Sequence, residues 1–112
     1  MLAARDALRA ATQRDLRSDA PDPARLRQLK AHLPAVEPNW LDPAGIPGRP
    51  WFQHLLYAAR YTYAHLELPG LTEAVEGADW SLASYEAGRI EAALSKNTQL
   101  LRTALRDWER DR

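Results

Sequence analysis

Apolar positions along this 112-residue chain recur at helical rather than alternating spacing. The clearest run is C-terminal, where Ala83, Ala87, Ile90, Leu94, Asn97, Leu101, Ala104 and Trp108 follow a 4-3-4-3 pattern and Leu100 and Leu105 widen the stripe. Asp79 stands ahead of it as an N-cap, so the pattern predicts a single helix over about residues 80–111, extending roughly 45 Å. Gly88 interrupts that helix at about 1 kcal/mol relative to Ala, which points to close packing there. At the other end, Leu2, Ala4, Leu8, Ala11 and Leu16 form a looser stripe and predict a helix over about 2–17. Asp22 and Pro23 read as the N-cap and first position of a second helix, about 23–33, carrying Leu26, Leu29 and Leu33 and closed by Pro34. The short connection implies an antiparallel hairpin.

Residues 34–50 hold five of the eight prolines and two of the five glycines, too many for a regular element. Yet Val36, Trp40, Leu41 and Ile46 are apolar, unlike a flexible linker, so the segment 34–69 reads as an ordered, packed loop. Within it Trp51 to Tyr63 is aromatic-rich and fits either an extended stretch or a short helix. Leu68-Pro69-Gly70 then opens a short helix, about 70–77, through Leu71, Ala74 and Val75 to Gly77. The expected class is all-α: a four-helix-bundle-like single domain over 1–112, with a long Pro-rich loop and a long C-terminal helix.

Composition supports that class. Twenty alanines and 17 leucines are strong helix formers, while Val and Ile, the usual sheet material, are scarce. Arg supplies 13 of the 15 basic residues, which suggests a GC-rich bacterial genome. A net charge of zero argues against non-specific nucleic-acid binding. Neither an apolar run long enough to span a membrane nor a signal-peptide pattern is visible, so a soluble chain is expected, its compartment unknown. The charge is uneven: +3 over residues 1–33, −5 over 34–88 and +2 over 89–112, which reads as solvated helix faces or as an acidic middle facing something particular.

Cysteine is absent, which removes disulfides, thiolate metal sites and cysteine nucleophiles. His32, His54 and His65 lie 22 and 11 residues apart and form no helical ligand pair, so no metal site is expected in this chain. No serine sits in a glycine-flanked elbow and no Gly-rich phosphate loop occurs, so no catalytic residue is nominated.

The segment from Asp42 to Ala58 is more specific. Asp42, Pro43, Gly45, Pro47, Arg49, Pro50, Phe52, His54 and Tyr57 closely resemble the central loop of the transferrin receptor-like dimerisation domain. That is the C-terminal helical domain of glutamate carboxypeptidase II and related zinc peptidases. The resemblance is tight over 42–58 and looser across the rest, where Leu68-Pro69-Gly70-Leu71 and the long last helix fit in order. It implies a homodimer, packing against a peptidase domain, and zinc held in that separate catalytic domain, with no cofactor in this chain. It also implies that Thr62-Tyr63-Ala64-His65 corresponds to a stretch where a lysine and a tyrosine hold a substrate carboxylate. Tyr63 is carried over as a substrate-binding candidate, with simple packing as its other reading. Thr62 and His65 depart from the pattern and remove the ammonium that would favour a glutamate carboxylate. Hydrogen bonding that supports the Pro-rich backbone is expected of His54, and a forked ion pair of Arg49.

Two functions follow. One is a non-catalytic dimerisation and pocket-completing domain of a zinc peptidase. The other is an independent helical interaction module pairing through Ile90, Leu94, Asn97, Leu101 and Trp108, a stripe that serves equally as an internal bundle seam.

Overall fold

The computed structural model describes residues 1–18, 22–59 and 65–110, and the side chains of all of these except His65. Its helices are α1 (Leu2–Leu16), α2 (Pro23–His32), α3 (Pro69–Glu76) and α4 (Trp80–Arg110). A two-stranded antiparallel sheet joins β1 (Tyr57–Ala59) to β2 (His65–Glu67). The chain is all-α apart from this small hairpin, and it divides into two compact units: residues 1–38 with 94–112, and residues 39–93.

In the first unit α1 buries Ala4, Leu8, Ala11 and Thr12, the one-sided stripe of an amphipathic helix. Asp22 caps α2 by accepting the Ala24 N–H at 2.8 Å, with Pro23 in the first turn. Pro34 does not stop the chain abruptly. Its fixed φ suits a first helical turn, and α2 runs on into a 3₁₀ turn over Leu33–Val36. The core consists of Ala4, Leu8, Leu101 and Ala104, flanked by Leu29 and Leu105.

A polar clamp closes this unit. One oxygen of Asp15, Oδ2, accepts from Arg25 Nη2 at 2.8 Å and from the Trp108 indole N–H at 2.6 Å. Arg25 also donates to the Trp108 carbonyl, and its guanidinium lies 4.3 Å from the indole centroid. The side chains of Arg25 and Asp15 are only 11% and 23% exposed, so the charges are held largely away from water. His32 Nε2 lies 2.9 Å from Asp107, a second tie between α2 and α4.

In the second unit Trp40, Leu55 and Ala93 pack together with Leu56 against them. Strand register pairs Tyr57 with Glu67, Ala58 with Leu66 and Ala59 with His65, and the central pair is buried. The period of two puts Tyr57 and Ala59 on the outer face. A 3₁₀ turn over Pro38–Trp40 leads into the loop. Leu68 enters α3 at φ +44°, and the left-handed turn after α3 falls on Ala78 (φ +53°), not on Gly77. Asp79 caps α4 by accepting the Leu82 N–H at 2.9 Å.

The buried positions of α4 correct the spacing read from sequence. Asn97, Leu101, Ala104 and Trp108 are buried as the heptad predicts, but ahead of them the buried residues are Ala83, Glu86 and Ala93. Ala87 is exposed, Leu94 is 40% exposed and Ile90 is half-buried, so Leu94 lies outside the seam and Ala93 within it. The register differs because a paired glutamate occupies an inward position that an apolar pattern cannot register. Asn97, Leu101 and Trp108 are covered by this chain itself and offer no free pairing stripe. A Cβ at Gly88 would meet nothing within 4 Å, so no close packing occurs there.

Removing the Asp15 carboxylate takes the ion-pair partner from the part-buried Arg25 guanidinium, which still meets the Trp108 carbonyl, and takes the acceptor from the Trp108 N–H. Asp15→Ala is expected to lower unfolding stability by about 2–3 kcal/mol. Asp15→Asn, which keeps an acceptor, should lose less. Urea unfolding followed by tryptophan fluorescence measures both.

Candidate functional site

The loop from Asp42 to Tyr57 is built by the few backbone donors its prolines leave. The Asp42 carboxylate folds back to accept the Ala44 N–H at 2.9 Å, and its carbonyl accepts the Gly45 N–H at 2.9 Å. The Ile46 N–H donates to the Phe52 carbonyl, and the Phe52 N–H to the Arg49 carbonyl. Isolated bridges pair Ile46 with Arg49 and Leu41 with His54, while the Leu55 N–H donates to the Trp40 carbonyl at 2.9 Å. Ile46, 2% exposed, supplies the apolar pin.

Gly45 is required twice over. Its φ is +67°, and an added Cβ would collide with the Pro50 backbone. Gly48 has φ +76° with open space around it, so only its backbone conformation demands glycine.

Arg89, on α4, fixes the turn. Its Nε donates to Asp42 at 3.0 Å, Nη1 to both Glu86 oxygens at 2.9 and 3.1 Å, and Nη2 to the Gly45 carbonyl at 2.6 Å. The side chains of Arg89 and Glu86 are 9% and 3% exposed. Burial disfavours the charged guanidinium, but hydrogen bonds and charge from Asp42 and Glu86 outweigh it and hold Arg89 above its ordinary range. The Glu86 carboxylate lies against Gly70, where a Cβ would overlap it, so the start of α3 is seated on the same cluster.

Arg49 ties the loop to the rest of the unit. It pairs with Glu73 of α3, donates to the Ala59 carbonyl at the end of β1 at 3.2 Å, and stands 5.5 Å from the Phe52 ring centroid. The fork expected from sequence is therefore split between a carboxylate and a carbonyl. His54 Nδ1 accepts the Leu56 N–H at 3.2 Å, and its ring stacks on Tyr57 with centroids 4.0 Å apart. Tyr57 is 54% exposed and Trp51 70% exposed. Pro43, Pro47 and Pro50 lie at the surface of the loop.

Tyr63 and Thr62 lie outside the described residues. Sequence reasoning did not nominate Glu86, Arg89 or Glu73. A signal for the first two exists, since Glu86 and Arg89 stand three apart at the inward edge of an apolar stripe. Among the described residues no group of three or more His, Asp or Glu side chains is placed to hold a metal ion, so no chemistry through a metal is derived for this chain. The arrangement is an irregular loop held by two arginines, Arg89 at its turn and Arg49 at its far side.

Residues 2–102 match the model of the transferrin receptor-like dimerisation domain. The chain belongs to this family. It is 34% identical over 80 residues to an inactive zinc metalloprotease of Schizosaccharomyces pombe, covering 70% of this chain and 10% of that protein. It is 30% identical over 89 residues to a protein named as a probable glutamate carboxypeptidase of Arabidopsis thaliana, covering 77% of this chain and 13% of that protein. The chain thus spans about a tenth of the length of these relatives. Within the loop of this chain Arg89 joins the Asp42 carboxylate to the Gly45 carbonyl, while Arg49 joins Glu73 to the Ala59 carbonyl.

Gly45→Ala combines a backbone collision with an unfavourable φ and is expected to cost more than about 2 kcal/mol. Gly48→Ala, with φ alone at issue, should cost about 1 kcal/mol. Thermal unfolding of the two variants against the parent separates these terms.

Proposed function

We propose that this chain is a non-catalytic dimerisation domain of a glutamate carboxypeptidase-like zinc peptidase, one that also helps to complete the substrate pocket. The observation that carries the reading is the family match over nearly the whole chain, joined to a loop whose distinguishing residues are spent on positioning rather than on chemistry. The acids serve structural arginines: half-buried Asp42 and buried Glu86 hold Arg89, and half-buried Glu73 holds Arg49. In this reading catalysis and zinc belong to a domain outside these 112 residues, and Tyr63 contributes a hydroxyl contact to the substrate. The names of the two relatives, one a metalloprotease described as inactive and one a carboxypeptidase, support a peptidase ancestry.

Purified chain supplied with zinc is expected to hydrolyse neither peptides ending in glutamate nor aminopeptidase substrates, and genuine turnover overturns the non-catalytic assignment. Within a longer enzyme that carries this chain, Tyr63→Phe should raise KM about five- to tenfold with kcat little changed, as loss of one hydrogen bond to substrate requires. An unchanged KM removes the pocket role.

A further inference from the structure

An open apolar groove of about 230 Å³ lies wholly within the first unit, lined by Leu8, Leu29, Leu33 and Leu101 and by the exposed Arg5 and Arg9. Leu8 and Leu101 are buried and belong to the core of that unit, so the groove brings the core to the surface. Leu29 is half-buried and Leu33 is 47% exposed, leaving apolar wall in contact with water. A methylene group fills about as much space as a water molecule, about 30 Å³, so the groove holds roughly eight of them.

The chemistry of the lining narrows the occupant. Thr12, its one hydroxyl, already donates to the Arg9 carbonyl at 3.0 Å, and leucine side chains offer neither donor nor acceptor. A peptide backbone laid across the groove would therefore gain no hydrogen-bond partner there. No aromatic ring lines it, so a sugar or a base finds no stacking surface. No acid lines it either, and the charge at hand is all of one sign. Arg5 pairs with the adjacent Asp6, whereas the Arg9 guanidinium has no partner among the described residues. The first unit as a whole holds twelve basic and eight acidic residues, a net +4.

We propose that this groove binds a free, unbranched alkyl carboxylate of about eight carbons, its chain along the four leucines and its carboxylate at Arg9. Arg5 adds to the field that draws the anion in. Apolar wall, unpaired guanidinium and size each select a different part of that molecule. The site is separate from the peptidase reading and stands or falls without it.

Titration of the whole chain with octanoate, followed by NMR of its leucine methyl groups, tests this, and the methyl signals away from the groove report that each variant is folded. Octanoate is expected to move the groove leucines. Affinity should rise about two- to threefold per methylene from pentanoate to octanoate and level off beyond, since an open groove covers only part of each added group. Arg9→Gln should weaken octanoate about three- to tenfold and leave uncharged 1-octanol unchanged. Leu33→Ala should weaken both, and Arg27→Gln, away from the groove, neither. Groove leucines that stay still at about 10 mM octanoate overturn the assignment, as does binding that Arg9→Gln and Leu33→Ala both leave intact. Leucine shifts produced by concentrating the chain alone give the groove to a second copy, and shifts produced only by phosphatidylglycerol vesicles give it to a lipid surface. Either result overturns the proposal.

Discussion

A guanidinium withdrawn from water has to spend its donors on protein oxygens, and Arg89 divides its donors between the loop and its own helix. Asp42, Glu86 and the Gly45 carbonyl take Nε, Nη1 and Nη2. Each acceptor belongs to a different piece of local structure: a side-chain-closed turn, the helix that carries Arg89 itself, and a left-handed glycine. The Glu86 carboxylate in turn fills the space that Gly70 leaves at the start of α3. Loss of either carboxylate leaves a buried cation underpaired, which costs far more than an exposed ion pair is worth. The loop therefore keeps its shape for electrostatic reasons as much as for apolar ones.

Fold class was legible because alanine and leucine content, helical spacing and proline punctuation all favour helices. The capping residues Asp22 and Asp79 were legible too, since a short carboxylate ahead of an apolar run has one obvious use. The inward face of α4 was legible only in its C-terminal half. From Asn97 onward the buried positions are apolar or amide and keep heptad spacing, whereas Glu86 hides the inward face further back. The stretch that carries β1 fits either extended or helical chain and β2 falls in the segment read as packed loop, because three-residue strands are too short to show a period.

The site was legible as a motif and opaque as a mechanism. Spacing among Asp42, Gly45, Arg49 and His54 identified the family, yet said nothing of what each side chain touches. Gly45 and Gly70 look alike in the sequence, but one is fixed by backbone conformation and a neighbouring carbonyl, the other by a carboxylate from a distant helix. Long-range pairs such as Asp42 with Arg89 and Arg49 with Glu73 depend on tertiary placement, which local pattern cannot encode. The acidic excess of residues 34–88 is partly explained by these pairs.

The five prolines between residues 34 and 50 act before the loop exists. Each one narrows the range of shapes open to the unfolded chain, and together they lower the entropy that ordering must overcome by about 2–5 kcal/mol, where their native geometry fits. A glycine-rich segment of the same length would need a correspondingly larger core to hold it still. Trp40, Leu55 and Ala93 form only a small one. The stiffness of the covalent chain is what lets so modest a core hold an irregular loop in a single shape.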